Sequence, residues 1–210
     1  MKRATTGGER EARRRHILSA TAHLLESWSL EDVNVDRIAE LAGVAKGTVY
    51  LYFRTREELI LEVFDRHHDS WLDAFETALD ESTDDLTPHG VGRVVVSTLV
   101  ERPLLLRLYG RVGGLLGGSI SPQAAERYRI QKAGRIARVA RALNRRLPQV
   151  TAFQGERWML RVEAFIAGIA ALTLSPAATT GVVETAGGTL LHGELESELQ
   201  YIAVTMLLSP

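Results

Sequence analysis

Four side chains in the stretch AGVAKGTVYLYF (42–53) have the chemistry needed to bind a nucleic acid: Lys46, Thr48, Tyr50 and Tyr52. A lysine ammonium pairs with a phosphate or a guanine edge, and a threonine contacts a base edge or a thymine methyl. A tyrosine hydroxyl donates to phosphate oxygens. Gly47 lies among them and would let the backbone approach closely. This mixture is typical of a helix that lies in the major groove of DNA.

The residues around this stretch predict a helix-turn-helix. Asn34 stands where its side-chain oxygen would cap a helix over 35–42, and Gly43 would end that helix in the left-handed conformation. A short helix over 46–52 follows after two or three residues. Two helices joined by a tight glycine turn form the unit that places a helix in a DNA groove.

Apolar residues in this region predict which faces are buried. Five residues at helical spacing would share the inner face of a first helix over 11–27: Ile17, Ala20, Leu24, Leu25 and Trp28. Six more would fill the space around the turn: Ile38, Ala39, Leu41, Val44, Val49 and Phe53. The helix-turn-helix should therefore have a small core of its own.

Helical periodicity continues along the rest of the chain. Thr55 would cap a long fourth helix over 56–79. Clusters of Pro, Gly and Ser separate five further helices, near 88–100, 102–117, 122–147, 153–174 and 189–208. A loop is expected over 179–189. The pattern predicts an all-α protein of about nine helices.

Composition excludes several classes of function. The chain has no cysteine, which removes disulfides, cysteine nucleophiles and most structural zinc sites. Its first 16 residues have no apolar run, so no secretory signal is expected. The longest nearly unbroken apolar run, 165–174, is shorter than the roughly 18 residues of a membrane span. We therefore expect a cytoplasmic protein without a membrane partner.

Charge is distributed in blocks although the net charge is only −1. Residues 57–86 sum to −10 and residues 87–150 to +10, which indicates partners or internal pairing. The densest basic stripe consists of eight residues: Arg127, Arg129, Lys132, Arg135, Arg138, Arg141, Arg145 and Arg146. We favour a solvated face that pairs with the acidic fourth helix; a second nucleic-acid surface is the alternative. Two interpretations, a solvated N-terminal tail and a contact with DNA, are equally consistent with Arg13, Arg14 and Arg15.

Other motifs do not indicate a catalytic or cofactor site. The glycine cluster over 110–119 lacks the GxxxxGK[ST] pattern of a phosphate-binding loop. His67 and His68 precede Asp69, but without a second ligand cluster they are interpreted as surface histidines. No GxSxG, HExxH or paired-carboxylate motif is recognisable, so we expect neither an enzyme nor a metal or cofactor.

The run from Arg13 to Phe64 resembles the DNA-binding domain of the tetracycline-repressor (TetR) family of bacterial transcription regulators. It keeps the family's spacing without a gap over about fifty residues, most specifically in IAELAGVAKGTVYLYF and the following REEL. The resemblance implies a dimeric repressor with a small-molecule pocket. It implies a helix-turn-helix domain over 1–56, with a flexible tail of about ten residues, and a ligand-binding and dimerisation domain over 57–210.

The resemblance also implies which residues contact DNA: Asn34, Asp36, Arg37, Lys46, Gly47, Thr48, Tyr50, Tyr52 and Arg56. Asn34 would cap the second helix near a phosphate, and Arg56 stands where the family commonly has a phosphate-binding lysine. Two positions depart from the family pattern. Ala45 replaces the usual serine, so a cap of the third helix is missing, and residues 28–30 replace a glycine-aromatic turn.

The C-terminal helices predict a dimer and an effector pocket. Four residues on the last helix form a heptad-like seam: Leu195, Leu199, Ile202 and Met206. The helix before it, over 158–174, is apolar almost all round, so both should join their copies from a second subunit in a four-helix bundle. Eight residues could line a pocket, although each also fits ordinary core: Trp71, Phe75, Leu105, Leu108, Tyr109, Leu115, Met159 and Phe165. Arg107 or Arg111 would be its polar anchor and would favour an anionic ligand.

These features together predict a ligand-responsive homodimeric repressor of a palindromic DNA operator, released by an unidentified small-molecule effector. The fourth helix would couple the two domains because it joins them directly. Two alternatives remain open. One is a small-molecule carrier whose DNA-binding head has lost its use, for which Ala45 is the only support. The other is a helical enzyme with a catalytic residue in the pocket.

Overall fold

The structure, a computed structural model, describes residues 7–82, 86–118, 120–173 and 190–208, without the side chains of 172, 173, 190–195 and 208. The described backbone consists of nine α-helices joined by turns and loops, which confirms the predicted all-α fold. The helices are α1 (Gly7–Ser27), α2 (Val35–Leu41), α3 (Lys46–Tyr50), α4 (Arg56–Glu81), α5 (Pro88–Val100), α6 (Pro103–Leu116), α7 (Pro122–Arg146), α8 (Ala152–Thr173) and α9 (Leu190–Leu208). The loop predicted over 179–189 lies outside the described residues.

The predicted helix ends have the expected local chemistry. The Asn34 side chain accepts a hydrogen bond from the backbone N–H of Arg37 at 3.1 Å, and Thr55 caps α4 in the same way. Gly43 has a φ of +59°, the left-handed conformation that lets the chain turn directly from α2 into α3. The first helix begins at Gly7, four residues before the predicted start, so Arg13, Arg14 and Arg15 lie within α1.

Two predicted core residues of the N-terminal helices are exposed. Trp28 lies beyond the end of α1 with 42% of its surface exposed, and its ring is covered by the Arg37 guanidinium at 4.0 Å. Leu41 is 46% exposed because the inner face of the short helix α2 is taken by Val35, Ile38 and Ala39. Helical spacing predicted a place on the inner face for both residues, and that prediction is wrong.

Helix α4 runs through the packing of the whole molecule. Its 26 residues span about 39 Å at 1.5 Å per residue. It packs against α1 near its start and against α5, α6 and α7 along its length. Leu59 and Ile60 are fully buried in its first turns, and Trp71 and Leu72 are buried farther along. A single helix therefore connects the helix-turn-helix to the rest of the fold.

Ion pairs join α4 to the basic helix α7, as the block charges predict. The Arg135 guanidinium is almost fully buried and lies 2.6 Å from carboxylate oxygens of Asp65 and Asp69. One helical turn later, Arg138 contacts both Asp73 and Glu76 at similar distances. Repeated pairing at helical spacing fixes the register of the two helices.

The last helix packs mainly inside its own chain. Helix α9 lies against α5 and α8, and Leu199 is only 1% exposed. Leu199 is therefore already buried within its own chain and does not face a second subunit. Ile202 and Met206 are partly buried, and the Leu195 side chain lies outside the described residues. Among the described helices, none combines the length and apolarity that crossing a membrane requires.

Helices α6 and α8 approach each other most closely at Gly110. A Cβ placed on Gly110 would lie 2.7 Å from the backbone nitrogen of Ala171 and 2.8 Å from the carbonyl carbon of Ala170. Backbone atoms cannot move aside as a flexible side chain can. Gly113, one turn away on α6, has no heavy atom within 4 Å of the same position.

We therefore expect Gly110→Ala to lower the free energy of unfolding by about 1–3 kcal/mol, the usual cost of overpacking. Gly113→Ala is the matched control on the same helix. It should raise the free energy of unfolding by up to about 1 kcal/mol, because alanine favours a helix over glycine. Urea denaturation of both variants measures the difference. Equal stability of the two variants would contradict the close approach of α6 and α8.

Candidate nucleic-acid interface

The short helix α3 is anchored by two apolar side chains and exposes the rest. Val49 is 1% exposed and Phe53, just beyond the helix, is 4% exposed. With these two buried, Lys46, Gly47 and Tyr50 lie on the outer surface, and the Tyr50 side chain is 48% exposed. The face that the sequence predicts to read DNA is thus the face that the structure leaves open to solvent.

Thr48 and Tyr52 are less exposed than the other predicted contacts. Both are partly buried, and the Tyr52 ring packs against the apolar core beyond the end of α3. The Arg10 guanidinium of α1 lies over that ring, 5.9 Å from its centroid. Tyr52 therefore supports the position of α1 as well as presenting a hydroxyl near the surface.

Lys46 forms an exposed ion pair with Asp36. Its Nζ lies 2.8 Å from a carboxylate oxygen of Asp36, which joins the start of α3 to α2. The hydrogen bond that Lys46 donates to Asp36 raises the pKa of Lys46 above its ordinary value, so the ammonium stays charged. An exposed pair of this kind is weakly held, and a phosphate can replace the carboxylate as partner of the ammonium.

Arg37 and Arg56 both have partners within the chain. The Arg37 guanidinium lies on Trp28 and donates to the carbonyl of Asp32 at 3.3 Å. The Arg56 guanidinium donates to the carbonyls of Leu30 and Val33 and lies 3.2 Å from the Glu57 carboxylate. Arg56 thus ties the loop before α2 to the start of α4. Its predicted phosphate contact stays a prediction and would compete with these carbonyls.

The two arginines expected as polar anchors of a pocket have partners near the helix-turn-helix. Arg107 on α6 donates to the carbonyl of Glu26 at 3.1 Å and to that of Trp28 at 2.8 Å. Arg111, one turn later, forms an ion pair with Glu31 at 3.1 Å. Helix α6 crosses the C-terminal end of α1, where free helix carbonyls accept guanidinium hydrogens, and a role of either arginine in ligand binding stays a prediction. These arginines attach α6 to the helix-turn-helix region.

The residues predicted to line an effector pocket do lie together in the core. Seven of the eight are buried and one, Phe165, is partly buried; the buried ones are Trp71, Phe75, Leu105, Leu108, Tyr109, Leu115 and Met159. Ring centroids of Trp71 and Phe75 are 6.1 Å apart, and Phe75 is equally far from Trp158 on α8. Close packing of this kind suits a core, and a role in ligand binding stays a prediction.

A buried polar group in this core was missed by the sequence reasoning. His68, predicted to be a surface histidine, is 2% exposed because α6 and α8 cover that side of α4. Its Nε2 lies 3.0 Å from the Tyr109 hydroxyl and 3.4 Å from a carboxylate oxygen of Glu163 on α8. The spacing of residues along α4 could have indicated that His68 is buried. His68 lies on the same apolar face as Phe64, Trp71 and Phe75.

The missing cap of α3 yields a stability prediction. Ala45 stands in the N-cap position with φ −68° and ψ 145° and makes no side-chain hydrogen bond. Ala45→Ser should raise the free energy of unfolding by about 0.5–2 kcal/mol, because a serine oxygen accepts a free backbone N–H of the first turn. Ala45→Val, which adds bulk without an acceptor, should not stabilise. Thermal and urea denaturation measure both, and a serine variant no more stable than the valine variant would refute the capping argument.

Two protein-family models match successive parts of the chain. Residues 65–208 match the model described as tetracyclin repressor-like, C-terminal domain, and residues 17–63 match the model of bacterial regulatory proteins of the tetR family. A 50-residue region is 40% identical to the HTH-type transcriptional regulator EthR of Mycobacterium tuberculosis. That region covers 24% of this chain and 23% of EthR, so the similarity spans only about a quarter of this curated relative.

Solved structures share the fold over nearly the whole chain. The fatty acid degradation regulator FadR from Bacillus halodurans matches 93% of this chain and 94% of its own, with a TM-score of 0.57 and 14% identity. The regulator FadR from Bacillus subtilis in complex with stearoyl-CoA matches 92% and 95%, with a TM-score of 0.52 and 17% identity. At such identities these two structures establish the fold alone. With both family models matched in order and the helix-turn-helix in place, the chain belongs to the tetracycline-repressor family of bacterial transcription regulators.

Proposed function

We propose that the chain is a homodimeric repressor that binds a palindromic DNA operator and leaves it when a small-molecule effector binds. The observation that carries the proposal is the outer face of α3, where Lys46 and Tyr50 project to solvent from a helix anchored by Val49. The proposal divides the chain into a DNA-binding head, residues 1–56, and an effector and dimerisation domain, residues 57–210.

In the proposed complex, α3 lies in the major groove. Lys46, Thr48 and Tyr50 contact bases and phosphates, while Asn34 and Arg37 approach the backbone from α2. One helix of this length reads only a few base pairs. Two heads related by a two-fold axis read two half-sites about 34–36 Å apart, or a multiple of that distance, which is why the operator is expected to be palindromic.

An exposed apolar stripe on α8 supports the dimer. Phe153 is 66% exposed, with the Arg157 guanidinium 5.6 Å from its ring centroid, and Leu160 is 45% exposed. Beyond Arg157, Ala164, Gly168 and Ala171 continue the stripe from Leu160 at intervals of three or four residues. On α9, Tyr201 is 64% exposed. Large exposed apolar surface of this kind is typical of a protein interface. Small residues in the stripe would let the helices of two subunits pack closely.

Effector release requires two conformations that the ligand distinguishes. To move an equilibrium from 1:99 to 99:1, an effector must prefer the released state by about 5.5 kcal/mol. Two connections are available to transmit that preference to the head. One is α4, which is continuous from the head into the effector domain, and the other is the pair Arg107 and Arg111 on α6.

Selection of bound sequences from random DNA tests the operator. The chain should recover a palindrome, and Lys46→Ala should weaken binding to it and lower the slope of log affinity against log salt by about 1. Arg129→Ala is the matched control, because it removes the same charge from an exposed site on α7. It should leave both quantities unchanged.

Two results would speak against DNA recognition. If no sequence is enriched by a folded dimer, the carrier alternative gains support. If both variants lose affinity equally, the effect belongs to net charge and not to α3.

The dimer surface has its own test. Leu160→Arg should shift sedimentation of the chain from dimer to monomer, because a charge would have to be buried in the apolar interface. Ile130→Arg is the matched control, since Ile130 on α7 is 64% exposed but lies outside α8 and α9. It should leave the dimer intact. A Leu160→Arg variant that stays dimeric would place the interface on another surface.

A further inference from the structure

Among the residues that the structure describes, two buried polar side-chain atoms in the effector domain make no hydrogen bond. They are Nδ1 of His68 and Oε2 of Glu163, on side chains that are 2% and 6% exposed. Buried polar groups are normally hydrogen-bonded, because leaving one unpaired destabilises the fold. Two such atoms, on side chains that contact each other across α4 and α8, mark a place where the core is chemically incomplete.

Both unpartnered atoms are acceptors. We assign the proton of the neutral ring to Nε2, because the two oxygens nearest to that nitrogen can both accept it: the Tyr109 hydroxyl at 3.0 Å and the Glu163 carboxylate at 3.4 Å. Burial, together with the charges of Arg135 and Lys132, lowers the pKa of His68 to about 3, so the ring is neutral at physiological pH. Nδ1 is then a free lone pair. The cluster therefore lacks donors, and a molecule that completes it must supply N–H or O–H groups.

The counter-ion of Glu163 is loosely held. Burial raises the pKa of Glu163 above its ordinary value, and the ammonium of Lys132 opposes that rise and favours the carboxylate. Lys132 Nζ lies 3.2 Å from Oε2, yet not in a direction that makes a hydrogen bond, and its side chain is 37% exposed. A flexible lysine at the edge of the site can move to solvent. Another cation can then take its position.

Aromatic rings surround the same carboxylate and imidazole. Trp71 stacks on His68 with ring centroids 5.5 Å apart, and Tyr109 and Phe64 lie at the same distance from the imidazole. Aromatic faces attract organic cations and also contact apolar groups. A carboxylate with a movable counter-ion beside several rings has the chemistry of a site for an amine on an apolar body.

We propose that Glu163 and His68 form the polar end of the effector site and that the effector is an organic amine, protonated at physiological pH. Its ammonium replaces Lys132 at Oε2 of Glu163, and its apolar body contacts Trp71. A further N–H or O–H group of the ligand donates to Nδ1 of His68. The inference rests on the proposed function, since the molecule bound here is taken to be the effector. It replaces the anionic ligand that Arg107 and Arg111 would have favoured, because both arginines bind the helix-turn-helix region.

The test compares ligands that share a phenyl group on a two-carbon chain and differ in charge. 2-Phenylethylamine, 2-phenylethanol and phenylacetate are titrated into the full-length chain by calorimetry and by tryptophan fluorescence, with stearoyl-CoA as an acidic reference. The amine should bind at least tenfold more tightly than the alcohol, and phenylacetate should bind more weakly still. Equal affinity for amine and alcohol, binding of the acidic ligands alone, or no binding of the amine would overturn the proposal.

Two variants with opposite expected effects identify the site. Glu163→Gln should weaken amine binding at least tenfold, whereas Lys132→Met should strengthen it, because it removes the internal cation that competes for Oε2. A purely structural role of Lys132 does not predict tighter binding. Arg129→Met is the matched control on the same helix and should change nothing. If Glu163→Gln does not fold, Lys132→Met decides, and unchanged or weaker amine binding by that variant would refute the proposal.

The same protein preparation is also tested for binding to the DNA sequence recovered by selection. The repressor proposal and the amine-site proposal can then fail separately. DNA binding without amine binding leaves the repressor standing and removes the amine site. Amine binding without DNA binding keeps the site and removes the repressor. With both present, added amine should dissociate the DNA complex of the original chain at a lower concentration than that of Glu163→Gln.

Discussion

Both ends of α4 are held by buried contacts, and this constraint determines where the helix-turn-helix stands relative to the other helices. Near the start of α4, Thr55 caps the helix and Leu59 is fully buried. Farther along, Asp65 is held by the buried guanidinium of Arg135, and Leu79, near the end of the helix, is fully buried. A helix fixed in both places cannot rotate or shift at one end without disturbing the other. The packing of α5, α6 and α7 against α4 therefore helps to set the position of the helix-turn-helix.

Arginine side chains add a second set of connections to the same region. Arg56 holds the loop before α2, while Arg107 and Arg111 reach it from α6. Arg107 donates to carbonyls at and just beyond the end of α1, where no intrahelical partner is available, and Arg56 donates to carbonyls of the loop. The planar guanidinium with five donors suits this task better than a lysine ammonium. Positive charge in this protein thus serves internal attachment as well as the surface of α3.

Much of the architecture was predictable from local chemistry. Caps at Asn34 and Thr55, the turn at Gly43 and the apolar periodicity located the nine described helices to within a few residues. Opposite block charges predicted that α7 pairs with α4, because the charges recur at helical spacing on both. The outward residues of α3 were predictable too, since burying Val49 leaves Lys46 and Tyr50 on the opposite side.

The helices, their order and the family could be read from the amino-acid sequence, because these depend on residues close together in the chain. Which face of each helix is covered, and by what, follows from how the helices pack in three dimensions. Periodicity could not show that α6 and α8 bury His68, or that Arg107 reaches the end of α1. Nor could it show that Glu163 meets His68 across the core. Such contacts join residues far apart in the chain, and their partners are chosen by how the helices pack.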